Sequence, residues 1–290
     1  MMFYLVIAIL LNVVISAIFK VFPRYGVNTF PAIVVNYFIC VTTGLLFFGH
    51  LPTVEESLHA VWFPWAIAMG GIFISVFYLL GYSMKVDGIT TTIIANKLSL
   101  VIPAVFSIVV YHELVGVAKV IGILLAFPAI YLTAYIKGEN DKPQNLLLPA
   151  AIFLGGGILD TLMKYVQLHF LFTQSSQALF TVFCFASAGG IGVIMSATLV
   201  LLKKIAINGR DIVAGIIIGV PNYFSIYFLI RMLNSNFLQS SAAIPVFNIG
   251  ILVVSALTAI LFFGEKINSY RIIGLTLSLI AILLIAFGDK

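Results

Sequence analysis

Apolar residues run along this chain in long unbroken stretches separated by short polar breaks, without the period-two alternation of strands. Ten such stretches stand at roughly 2–20, 30–48, 62–83, 90–111, 117–136, 146–168, 177–202, 211–231, 237–263 and 269–287. A helix needs about 20 apolar residues to cross the hydrocarbon core of a bilayer. In lipid every backbone amide must find its partner within its own structure, which leaves helices and closed barrels as the spanning forms. A barrel reads as short alternating segments with polar lumen positions, and these stretches do not. The pattern predicts an all-α integral membrane protein with ten transmembrane helices.

Composition agrees. Of 290 residues, 62% are hydrophobic and 9% are charged, where soluble domains carry about 25% charge. A soluble core could not hide so much apolar surface, so the surplus must face lipid. The formal charge of +5 comes from 15 basic residues scattered through short loops. They form no block, so they read as topology signals and headgroup contacts and not as a nucleic-acid site. Cys40 and Cys184 lie inside apolar runs and read as small hydrophobes, with no disulfide, metal site or cofactor implied. The amino-terminal run lacks a basic region and a small-residue cleavage site, so it is expected to be the first membrane helix.

The most polar stretch, Lys137 to Asn145, falls at the midpoint and divides the chain. We read a first five-helix repeat over 1–137, a polar linker over 138–145 and a second five-helix repeat over 146–290. A shift of 152 residues places Asn96 on Asn248, Glu113 on Glu265, Lys119 on Arg271 and Gly122 on Gly274. A shift of 144 places Lys20 on Lys164 and Ser16 on Asp160. With an odd number of helices in each half, the second must enter the membrane from the opposite side. The expected architecture is therefore two inverted five-helix repeats, an arrangement of secondary transporters whose substrate site lies near the midplane between the halves.

Two charged residues fall deep inside apolar runs, where a charge is costly and usually faces a cavity or a partner. Lys97 lies in the fourth helix and Asp160 in the sixth, after three glycines. Lys97 is the candidate for holding an anionic or carboxylate group of a solute. Asp160 is either a coupling carboxylate or a member of an ion pair, with Lys97 or with Lys164 at i+4. Further candidates for lining a solute path are Asn96, Asn248, Tyr78, Tyr82, Asn222 and Tyr227. The stripes that carry them, Gly71-Ser75-Tyr78-Tyr82 and Gly215-Gly219-Asn222, serve equally as packing faces, because small residues let membrane helices approach closely. Pro103, Pro128, Pro221 and Pro245 fall inside helices and allow kinks. Glu113 and Glu265 stand at equivalent helix ends, where a helix dipole stabilises a carboxylate. His50, His59, His112 and His169 lie at helix ends without metal-ligand spacing, and no catalytic motif or phosphate-binding loop occurs.

The layout, the turn Phe262-Phe263-Gly264-Glu265-Lys266 followed by Arg271-Ile-Ile-Gly274, and the element Tyr111-His112-Glu113 with Gly122 resemble the drug/metabolite transporter superfamily, specifically its EamA-type members. The resemblance implies a bacterial inner-membrane secondary transporter, often an exporter of amino acids, related metabolites or drugs, working by alternating access. The chain departs from the family at Leu11–Ser16, where members often carry a Trp-Gly-Ser-like segment. It departs again at Pro52–Glu56, acidic where a basic loop is usual. Family members hold both termini in the cytoplasm. The basic residues instead favour the face with Lys20, Arg24, Lys85, Lys203, Lys204 and Arg210 as cytoplasmic; the family orientation is preferred here. The function expected is transport of a small polar metabolite, such as an amino acid, through a central cavity, by an exporter or exchanger. The alternatives are a lipid-linked-sugar or lipid flippase of the same layout and, from other classes, an integral membrane enzyme or a scaffold. The expected partners are a small solute and the bilayer; the oligomeric state stays open, and a monomer is compatible with the sequence.

Overall fold

A computed structural model describes residues 2–48, 59–111, 116–134, 146–234, 240–265 and 268–287. The linker 138–145, Glu113, His50 and His112 lie outside the described residues. Among those described, the chain is helical throughout: α1 Met2–Val21, α2 Thr29–Phe48, α3 Phe63–Val86, α4 Ile89–Leu98, α5 Val101–Tyr111 and α6 Val117–Ala134, then α7 Leu147–Phe170, α8 Gln174–Leu201, α9 Gly209–Asn234, α10 Ser240–Phe263 and α11 Ser269–Phe287. A short 3₁₀ turn, Phe22–Tyr25, follows α1 and ends at Gly26 in the left-handed region, φ +62°.

Nine stretches among the described residues are long and apolar enough to cross a membrane, and Val117–Leu132 is a shorter apolar helix. The protein is a multi-pass membrane protein. One expected helix, 90–111, is divided: α4 ends at Leu98 and α5 begins at Val101, together spanning Ile89–Val110. The cause is Pro103, which has no amide to offer the Ser99 carbonyl four residues back. That carbonyl accepts instead from Ile102 at 2.9 Å, a tighter i+3 bond that breaks the helical register. Pro128 and Pro221 stay inside α6 and α9.

α6 packs along α11, α2 along α9 and α3 along α8; α1 lies against α9 and α10, while α7 lies against α3, α4 and α5. α2 also meets α8, and α4 meets α10. One core gathers α1, α2 and α9 around Phe19, Ile33, Tyr37 and Ile218. A second joins α4 and α6 to α10 and α11 through Ile94, Leu98, Ala129, Leu252 and Ile282. A third seats Trp62, just before α3, and Met69 of α3 on Phe180 and Cys184 of α8. Cys40 and Cys184 are buried free thiols. Many large apolar side chains remain exposed, among them Leu46, Leu124, Phe127, Ile194 and Leu261. That is the surface a lipid-facing bundle needs.

Candidate functional site

α4 is ten residues long, and both ends are fixed by polar groups. At its start Gly88 adopts φ +95°, a conformation that favours glycine. The Gly88 carbonyl accepts from the Thr92 hydroxyl at 2.7 Å, and Thr92 and Ser83 share a second bond at 2.7 Å. At its end the Ser99 hydroxyl turns back onto the Asn96 carbonyl. Asn96, Lys97 and Ser99 thus sit on the last turn of a short rod, immediately before the break.

Opposite them stands α7. Gly156 brings its backbone against this turn: a Cβ there would lie 3.1 Å from Ser99 Oγ and 3.2 Å from Asn96 Nδ2. One turn further along α7 stands Asp160, the carboxylate near the Ser99 hydroxyl and in the field of Lys97. Lys97 and Asp160 do not close to salt-bridge distance. From α10, the ring of Phe247 lies 5.6 Å from Lys97 Nζ, a cation–π contact with a residue that is itself 6% exposed.

Lys97 is half-buried and Asp160 exposed, although both belong to the middle of the bundle. A charge open on the lipid side would lose its hydration without replacement. Lys97 meets the Phe247 ring of α10 and lies in the field of Asp160 on α7, so the space these three helices border is internal. Asn96 and Asn248 are half-buried, and their side-chain amides take no hydrogen bond within the described residues. The arrangement offers a cation, a carboxylate, amides and an aromatic face to one small polar guest.

The other candidates lie elsewhere. Asn222 of α9 is buried and donates to Asn36 Oδ1 of α2 at 3.1 Å, and the Cys40 thiol approaches the same oxygen. Tyr227 accepts from Arg231 Nε at 3.0 Å. Tyr78 and Tyr82 are exposed and stacked on each other, and Tyr78 meets Phe30 edge-on. Lys164 reaches Ser107 of α5 at 2.7 Å, one turn beyond Asp160. Sequence reasoning missed Ser99, Phe247 and Gly156; each earns its place through a neighbour on another helix, which spacing along one helix does not reveal.

A second polar cluster closes one end of the bundle. Glu265 meets Lys20 at 3.6 Å and accepts from the Ile89 amide, and Arg271 donates to the Asp87 carbonyl at 3.5 Å. On the same face Asp211, fully buried, accepts from the amides of Asn28 at 2.7 Å and Asn208 at 2.9 Å, tying the entry of α2 to that of α9. Asp87 caps α3 just outside the membrane span. Burial pushes its carboxyl above the usual 3.8, against the pull of the Ser83 hydroxyl, Arg271 and Lys20. Because the folded carboxyl holds its proton more tightly than the unfolded one, its contribution favours folding below that ordinary value and is lost as pH rises through the folded pKa. Asp87→Asn is therefore expected to melt no lower than the parent at neutral pH and to lose less stability between acid and neutral pH. Thermal unfolding in detergent across pH checks this; a neutral-pH melting point well below the parent's would show that Arg271 and Lys20 outweigh burial.

Comparison with known proteins adds three findings. An uncharacterized protein of Haemophilus influenzae is 28% identical over 299 residues, covering 99% of this chain and 98% of that one. A protein of solved crystal structure shares the fold at a TM-score of 0.58, with 15% identity over 97% of this chain and 98% of the other. The EamA-like transporter family matches residues 3–135. That stretch carries α1 to α6, including the Lys97 turn. Over residues 3–135 the chain is thus similar to the EamA-like transporter family.

Proposed function

We propose that this protein is a secondary transporter of the inner membrane, an exporter or exchanger of a small polar metabolite such as an amino acid. The carrying observation is the group of Lys97, Asp160, Asn96 and Phe247 in the bundle interior, with hydrogen-bonding capacity left for a guest. Lys97 takes the anionic end of the solute, and Asp160 balances Lys97 when the site is empty. Asn96 and Asn248 supply neutral polar contacts.

Alternating access follows from two halves related by inversion, 1–137 and 146–290. The packing supports that relation. With α4 and α5 counted as one span, exchanging corresponding helices of the halves turns the α2–α9 pair into α8–α3, and α1–α9 into α7–α3. It turns α1–α10 into the contact of α7 with α4 and α5, and it returns α2–α8, α4–α10 and α6–α11 to themselves. A bundle with this symmetry has two packings of similar energy, one open to each side.

Solute counterflow in proteoliposomes tests the reading without assuming a coupling ion. Amino acids, nucleosides, organic acids and cationic dyes are screened against protein-free vesicles. Exchange of one class is expected, with an anionic or zwitterionic solute favouring contact with Lys97. Folded protein that exchanges none of them would sink the small-solute reading and point to a lipid-linked substrate.

A further inference from the structure

Glu265 belongs to the second half of the chain, yet its carboxylate closes the first turn of α4 in the first half. One oxygen accepts from the Ile89 amide at 2.7 Å and the other from the Thr90 hydroxyl at 3.1 Å. Lys20 Nζ, at the end of α1, stands 3.6 Å away, and the Glu265 side chain is 8% exposed. A Cβ on Gly88 would lie 2.7 Å from Glu265 Oε1, so glycine there leaves the carboxylate its seat. A carboxylate bonded to the free amides of a helix start is favoured by the helix dipole and by its charge-assisted bonds. This one gathers the end of α1, the start of α4 and the turn after α10 into one knot.

We propose that Glu265 is the latch that shuts the solute site toward this face of the membrane and the positioning residue for Lys97. α4 is a ten-residue rod, with the latch on its first turn and Lys97 on its last, about 12 Å apart at 1.5 Å per residue. Beyond Ser99 the helical bonding is interrupted, so α4 is joined to α5 through a break and not through a continuous helix. Opening a path from this face requires α1, α4 and the α10 end to part, and the Glu265 side-chain contacts span those elements. When they part, the Ile89 amide and the Glu265 carboxylate exchange each other for water, and the rod that carries Lys97 is released at its outer end. The proposal rests on the transporter reading of the Lys97 group but needs no substrate identity.

The test reads opening directly. Ile93 lies one turn below the latch and is 6% exposed, so Ile93→Cys is shielded while the latch holds. The native Cys184, buried between α8 and α3, reports general loosening. Full-length protein carrying Ile93→Cys is treated with a polar maleimide in detergent and in proteoliposomes, and labelling at each cysteine is followed by peptide mass spectrometry. Glu265→Ala is expected to speed labelling at position 93 about tenfold or more, the shift that loss of a charge-assisted bond gives, with Cys184 unchanged. Glu265→Gln, which keeps the size and one acceptor, falls between and serves if the alanine variant does not fold. Equal labelling at position 93 with and without Glu265, or parallel gains at both cysteines, overturns the latch. Labelling is read without solute, so an unsuccessful counterflow screen does not decide it.

Discussion

Lys97→Ala is expected to insert and fold while losing counterflow. The charge it removes sits at the meeting of α4, α7 and α10, where Asp160 and the Phe247 ring are the groups that answer it. Loss of one member of a desolvated charge contact costs about 2–5 kcal/mol, roughly thirtyfold or more in binding at 1.4 kcal/mol per decade. Folding is better protected, because Lys97 and Asp160 are not locked in a direct salt bridge. Adding Asp160→Asn separates a solute role from a structural pair. Neutralising both ends of a structural pair leaves no unbalanced charge, so stability and counterflow would both return to parental values. A solute role predicts that stability returns and counterflow does not. Recovery of full exchange in the double variant would therefore remove Lys97 from the solute site.

Gly215→Val is expected to disrupt the bundle itself. Gly215 and Gly219 face α2 so closely that a Cβ at 215 would lie 2.5 Å from Val35 Cβ and 2.6 Å from the Ala32 carbonyl oxygen. A Cβ at 219 would lie 2.5 Å from Ile39 Cβ and 3.0 Å from the Asn36 carbonyl oxygen. Backbone atoms cannot rotate aside, so relief requires α2 and α9 to separate. Separation strains the buried Asn222–Asn36 hydrogen bond and the Asp211 tie at the helix entries. Overpacking costs about 1–3 kcal/mol in cores that adapt, occasionally more, and two rigid helix backbones leave little room to adapt. The expected result is a sharp drop in monodisperse protein on size exclusion and a melting point several degrees lower. Gly190→Ala is the control, since nothing lies within 4 Å of a Cβ there. A Gly215→Val protein as stable as that control would show the α2–α9 seam to be looser than drawn.

These residues mark how far the sequence reached. The helices were legible because lipid leaves a backbone few options: apolar runs of this length fold as spans, and their ends fell within a few residues of those observed. The Lys97 candidate was legible for the same reason, a charge having to justify its place in an apolar run. The Gly215–Gly219 stripe was read as either pathway or packing, and the structure seats it against α2 at van der Waals limits. Asn222 was offered as solute lining and is found buried on Asn36. A polar residue on a helix face looks the same in sequence whether water, solute or another amide meets it.

Glu265 shows the limit from the other side. The sequence placed it at a helix end, where a carboxylate suits the dipole of a helix nearby in the chain; the helix it caps is α4, 176 residues away. What the sequence determined by itself is the set of spans and the few charges they must accommodate, because both follow from the one-body cost of leaving water. The tertiary structure decided which charges face each other, which amides are spent on packing and which carboxylate closes which helix. Those depend on pairs of helices brought together across the chain, and their spacing is written in no single segment.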